Sequence, residues 1–317
     1  MGGPTPAVTG RAVARAVLAG GAVVAAASVL AWALAYPHSP VAGAVVRALA
    51  DCAAVITVGL AAVPRLESDR YRAELTRRAA GPLALAATVW LLAEVVRLTV
   101  EAAQTAGVGF WQVGVQTVAD FGLHTTAGRS GLVGIVAALI VAVVAAFAPR
   151  GSATTAATVG VAAVGMAART LAGHLSESPV GGMAVAVHAL AAAVWCGVLA
   201  ALVLTVTHRG QWARVLPRFS QLSLTCVGAL LAAGVAGAAI RLDSPTELWG
   251  TGYGRVLAAK VVVTAVLLAL AWRNRSEWLP AARAHRSSAA LSQTRSLVEL
   301  AIMAVAVTLA AALAVTG

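Results

Sequence analysis

Apolar residues fall in long runs separated by short polar breaks along the whole chain. Nine runs stand out: Ala12–Ala35, Val41–Val63, Gly81–Val100, Gly131–Ala148, Ala153–Ala172, Met183–Val206, Leu222–Ile240, Val256–Trp272 and Leu297–Val315. A bilayer-crossing helix needs about 20 apolar residues, and each run is near that length. The predicted fold is all-α: a polytopic transmembrane helical bundle of about nine spans, forming a single membrane domain over residues 1–317. The first run has a basic start and ends in Ala33-Leu34-Ala35, so it resembles a signal peptide. Its apolar stretch is longer than a usual signal core, and an uncleaved first helix is expected.

The breaks divide by charge. One alternate set carries Arg65, Arg70, Arg72, Arg77 and Arg78, then Arg150, then Arg209, Arg214 and Arg218, then Arg273, Arg275, Arg283, Arg286 and Arg295, with Arg11 and Arg15 ahead of the first run. The opposite set carries Arg241. Basic residues stay on the cytoplasmic side, so the N-terminus is expected inside and the C-terminus outside, as an odd number of spans requires. One outer break is long. Within it Phe110, Trp111, Val115, Val118 and Phe121 share a face and predict a short helix on the outer membrane surface.

Composition agrees: 60% of residues are apolar and 11% charged, with a mean hydropathy of +0.86. A soluble domain is about half apolar and a quarter charged. The net charge of +11 would suit nucleic acid, but the arginines sit in short inter-span breaks and form no basic face, which excludes that partner. The bilayer is the expected surroundings, in a plasma (inner) membrane crossed many times. No HExxH, GxSxG or Walker pattern occurs, so no enzyme of those classes is expected.

A short pattern recurs. Thr125-Thr126-Ala127-Gly128-Arg129 opens the fourth run and Thr251-Gly252-Tyr253-Gly254-Arg255 the eighth. Asp51–Val55 loosely echoes His188–Val194. Both echoes lie four spans apart in the same orientation, which predicts a parallel repeat of four-helix units.

Ionisable residues inside the runs gather in the outer half: Arg47, Asp51, Glu94, Arg97, Arg129, Arg169, His188, Arg255 and Lys260, the single lysine. The inner half has Glu299 as its clearest case. Each costs about 2.5–3.5 kcal/mol at a helix centre on insertion scales, so they should face the bundle and pair. Arg47 and Asp51 are i, i+4, and Glu94, Arg97 and Glu101 form one stripe. Together they predict a polar cavity opening outward, with Asp51, Glu94 and Lys260 setting its charge.

Soft-metal ligands lie near that layer. Met166 and Met183 fall close in sequence to His174 and His188, Cys196 is deeper, and Cys52 and Cys226 also sit within runs. Thioether and thiolate select Cu(I), and imidazole suits copper generally. The three cysteines include no CxxC, and an odd number completes no disulfide framework. His38 and His124 are further outer-side histidines.

These residues carry a resemblance. Gly173-His174, His188 and Trp195-Cys196-Gly197 are followed by Arg218-Phe219-Ser220, then Thr251-Gly252-Tyr253-Gly254-Arg255-Val256-Leu257-Ala258-Ala259-Lys260, then Asn274-Arg275 and Leu279-Pro280. The series, over about residues 174–280, resembles the copper resistance protein D (CopD) family of bacterial inner-membrane proteins. Val198 replaces a second glycine of the family pattern, and Ala258-Ala259 departs from it before Lys260. The resemblance implies copper entering from outside, met by His174 and His188 with Met166 or Met183, and passing inward by Trp195 and Cys196. Tyr253 and Arg255 are expected among the residues that set the cavity's charge and packing. Some relatives are joined to a domain resembling a cytochrome c oxidase assembly factor, and this chain reads either as complete or as the front part of such a fusion. Partners implied are a periplasmic copper chaperone or oxidase assembly factors.

A copper ion beside Lys260 and several arginines is electrostatically awkward. From the residues alone two other classes therefore stay open. One is a haem- or quinone-binding redox protein, with paired histidines on haem and basic side chains on its propionates. The other is an assembly or scaffold subunit without transport.

Overall fold

The computed structural model describes residues 6–36, 41–149, 151–170, 179–241, 246–284 and 288–316. His38 and His174 lie outside the described residues. The described chain is helical, with no strand: α1 (Pro6–Ala35), α2 (Val41–Ala62), α3 (Asp69–Ala106), α4 (Val115–His124), α5 (Thr126–Phe147), α6 (Ser152–Thr170), α7 (Pro179–Thr205), α8 (Arg209–Arg241), α9 (Glu247–Gly250), α10 (Gly252–Arg273), α11 (Leu279–Arg283) and α12 (Ala289–Thr316). Short 3₁₀ turns follow α2 and precede α4, and a π-helical turn, Asn274–Trp278, joins α10 to α11.

Eight of these helices are long and apolar enough to cross a membrane. This polytopic all-α architecture is the expected one, with one difference. The fifth expected span, α6, forms but is not among the eight. Thr154, Thr155, Thr158 and Arg169 lower its hydropathy, and the last three are satisfied within the protein. Thr155 and Thr158 hydroxyls donate to carbonyls one turn back, and Arg169 is paired inside. At 19 residues α6 is still about 28 Å long, by 1.5 Å per residue. Its first turns share a pocket with Ala61 of α2 and Leu83 of α3, and its last turn reaches Asp51 and Glu94. It therefore runs antiparallel to α2 through the same layer.

The centre of the bundle is the α2–α7 pair, the two most buried spans. Small residues let their backbones meet. A Cβ on Gly59 would overlap the Gly197 carbonyl, and one on Gly197 would overlap the Val55 carbonyl. Ala193, Gly197 and Ala201 continue that small face at every fourth position, all buried. Where lipid removes the usual hydrophobic drive, such close approach is how helices gain contact.

The recurring Thr-x-x-Gly pattern forms the same corner at both places. Thr125 and Thr251 both adopt extended backbone and N-cap the next helix, their hydroxyls accepting from Gly128 N at 2.8 Å and Gly254 N at 2.9 Å. Each hydroxyl also donates back to the short helix before it, to Phe121 O at 2.7 Å and Glu247 O at 3.0 Å. A Cβ on Gly128 or Gly254 would overlap those same carbonyls. The Thr-x-x-Gly spacing thus encodes one corner, used twice. Thr125→Val or Thr251→Val is expected to cost about 1 kcal/mol, the usual worth of an N-cap, measured by unfolding in detergent. No change at either corner would refute the cap.

The halves α2–α3–α5–α6 and α7–α8–α10–α12 meet through α2 and α7, and each lends its last helix to the other: α6 touches α7 and α12 touches α2. They differ in one respect. α3 packs along α5, whereas α8 and α10 scarcely touch, leaving a gap between them. The expected outer-surface helix is α4, preceded by Phe110–Gln112. Val118 and Phe121 pack on Leu98, Ala102 and Leu132, while Trp111 and Val115 are 93% and 88% exposed. Only part of the shared apolar face is thus left exposed.

At the arginine-rich end, several orientation-setting arginines also hold structure. Arg214 makes a two-pronged pair with Glu67 at 3.0 and 3.1 Å, Arg218 donates to Leu66 O at 2.9 Å, and Tyr71 lies under the Arg214 guanidinium. They tie the turn after α2 to the start of α8.

Candidate functional site

Two polar regions lie in the half of the bundle away from those arginines, and they differ in kind. The first joins α2, α3 and α6. Arg169 Nη2 donates to Asp51 Oδ1 at 2.6 Å, and its Nη1 lies 2.8 Å from Glu94 Oε1. Trp90 Nε1 donates to that same Oε1 at 2.9 Å. Arg97 Nε donates to Glu94 Oε2 at 2.9 Å and its Nη1 to Glu101 Oε1 at 2.5 Å. Arg47 stands 4.0 Å from Asp51 Oδ2.

Three arginines thus face three carboxylates. Glu94, Arg97 and Arg169 are almost wholly buried. Gly131 and Gly134 of α5 make room, since a Cβ there would press on Arg97 at 3.1 Å and Glu94 at 3.4 Å. Such a dense, charge-balanced group holds helices together. Asp51 and Glu94 were expected to charge an open cavity beside local partners; instead the tightest partner of Asp51 is Arg169, on another helix. Trp90, one turn before Glu94, belongs to the site and was not singled out from sequence. Its i, i+4 spacing to Glu94 was the signal available.

The second region lies where α7 meets α8, beside the gap to α10. His188 is half-buried, and its Nδ1 lies 2.9 Å from Leu230 O. A carbonyl only accepts, so Nδ1 is the N–H donor in this contact, and in the neutral ring Nε2 carries the lone pair. Gly234 of α8 admits the ring, since a Cβ there would lie 3.2 Å from Nδ1. Lys260 of α10 is half-buried.

The other expected ligands are dispersed. Met183 is 66% exposed, Met166 is buried on α6, and Cys196 is buried in the core next to the buried Trp195. Among the described residues no three His, Cys, Asp or Glu side chains are placed to hold a metal ion. Arg255 is engaged with the end of α1, donating to Leu34 O at 2.8 Å and Tyr36 O at 3.2 Å. Tyr253 packs in the same cluster as Ala31 and Ala35 of α1. Both serve the α1–α10 contact.

Residues 213–315 match the family Copper resistance protein D, and residues 37–182 match Copper resistance protein D-like, N-terminal domain. The chain belongs to the copper resistance protein D family. No curated protein and no solved structure matches it. The two CopD matches divide the chain much as the repeat does, one covering α2 to α6 and the other most of α8 to α12. The resemblance seen in sequence began near residue 174, so the CopD character of the N-terminal half was not legible there. His188 and Trp195-Cys196-Gly197 fall between the two matched stretches. Membership supports a copper-related, multi-pass membrane protein.

Proposed function

We propose that this CopD-family protein binds copper at His188, at the outer end of the gap between α8 and α10, and moves it toward the cytoplasm. The observation that carries the reading is the Nδ1 contact of His188 with Leu230 O, which presents Nε2 as a metal ligand. A ligating imidazole is commonly held through its other nitrogen in this way. His174, Met166, Met183 and Cys196 remain proposed ligands at successive points. Cu(I), the favoured state, suits soft donors and accepts few of them. Lys260 makes no ion pair among the described residues, so copper would enter this gap with anionic ligands of its own. A periplasmic copper chaperone could hand over such a complex, and delivery to oxidase assembly is an alternative destination. The arginine-rich breaks support an inner-membrane protein with its N-terminus inside.

The test is metal analysis with an absorption spectrum on detergent-purified protein. His188→Ala is expected to weaken copper binding by at least about 10–100-fold, the range seen when support of a ligand is lost. Gly234→Ala, which crowds the ring without removing it, should weaken it less. Unchanged copper in His188→Ala would sink the assignment. A Soret band lost in that variant would replace copper by haem.

A further inference from the structure

The second half contains one buried carboxyl that the copper reading does not use. Glu299 of α12 is 3% exposed, and the amide of Asn274 donates to its Oε2 at 2.8 Å. Asn274 opens the π-helical turn, the kind of widened turn that recurs at functional sites. The same turn sends Trp278 Nε1 to Ser292 Oγ at 3.0 Å. Ser296, three residues before Glu299, is buried, and among the described residues its hydroxyl has no hydrogen-bond partner.

Glu299 differs from the other buried carboxylates. Glu94 has Arg97 and Arg169, and Glu67 has Arg214. Glu299 has no arginine, lysine or histidine in an ion pair among the described residues; its one donor is a neutral amide. It also lines a cavity of about 210 Å³ between α8, α10 and the π-helical turn. The rim includes Leu224 and Trp272, 59% and 74% exposed, so the cavity opens where α8 and α10 stand apart. Arg275 lies at the arginine-rich end, donating to Ser220 Oγ at 2.7 Å across the mouth. Among the described residues, the thiol of Cys196 on α7 also interacts with Glu299 electrostatically.

We propose that Glu299 is a proton-exchange site: its carboxyl holds a proton in the resting protein and releases and regains it through the cavity between α8 and α10. A carboxylate without a counter-charge is poorly solvated in a bundle interior, so the neutral acid is the stable resting form. The Asn274 amide supports the anion during the interval in which the proton is away. The inference stands whether or not the chain moves copper.

Dicyclohexylcarbodiimide tests it. This apolar reagent adds across the O–H of a protonated carboxyl: the acid proton passes to a carbodiimide nitrogen, the carboxyl oxygen bonds to the central carbon, and nothing leaves. Peptide mass spectrometry of the labelled full chain should place the adduct on Glu299 and not on Glu67 or Glu94. Labelling should fall by about tenfold for each pH unit once the acid ionises. Asn274→Leu, lacking the donor that supports the anion, should carry labelling to higher pH. Glu299→Gln should abolish the adduct while eluting as wild type from size exclusion. No adduct on Glu299 at any pH would overturn the proposal, as would equal, pH-independent labelling of all three glutamates.

Discussion

Arg169→Met is expected to destabilise the protein by about 3–5 kcal/mol, the cost of removing one partner from a buried ion pair. Arg169 is the only member of its cluster on α6, and it joins that helix to both α2 and α3. Without it Asp51 keeps Arg47 at 4.0 Å, and Glu94 keeps Arg97 and Trp90, but one negative charge is left unbalanced. Chemical or thermal unfolding in detergent reads the loss. Arg169→Met combined with Glu94→Gln restores charge balance and should recover part of the stability. A loss below about 1 kcal/mol, the worth of an exposed pair, would show that the cluster is hydrated and not a lock.

The second large effect is steric. Gly59→Ala and Gly197→Ala each place a Cβ into the carbonyl of the facing helix. Over-packing typically costs about 1–3 kcal/mol where side chains can shift, and here the obstacle is backbone. Less folded protein or a lowered unfolding temperature is expected from either change, and the double change should not be additive, because both open one crossing. Gly160→Ala on α6 is the control: nothing lies within 4 Å of a Cβ there, so neutral or slightly improved stability is expected. Three equal results would mean that α2 and α7 do not touch at this point.

The same comparison shows why some features could be read from the chain and others could not. The spans, the outer helix α4 and the paired Thr-x-x-Gly corners depend on residues near in sequence, and periodicity and capping chemistry report them directly. The Glu94–Arg97–Glu101 stripe is equally local. The partner of Asp51 lies at Arg169, and no spacing rule links positions so distant. Arg255 and Tyr253 looked like cavity residues because they open a span beside Lys260. Their engagement with α1 depends on a helix from the far end of the chain. Likewise, the arginines marked orientation, but only packing shows Arg214 and Arg218 fastening α8 to the turn after α2.

The sequence by itself determined that this is a helical membrane protein, which breaks carry its positive charge, that a Thr-x-x-Gly-Arg pattern recurs, and that it resembles the CopD family. Those properties are sums over local composition and short motifs. Tertiary structure decided which charges cancel, that α2 and α7 cross backbone to backbone, that Nδ1 of His188 meets the Leu230 carbonyl, and that Glu299, among the described residues, pairs with a neutral amide beside a gap. Each of these depends on which helix faces which, and in a bilayer that choice is made by close packing and by satisfying polar groups that lipid cannot.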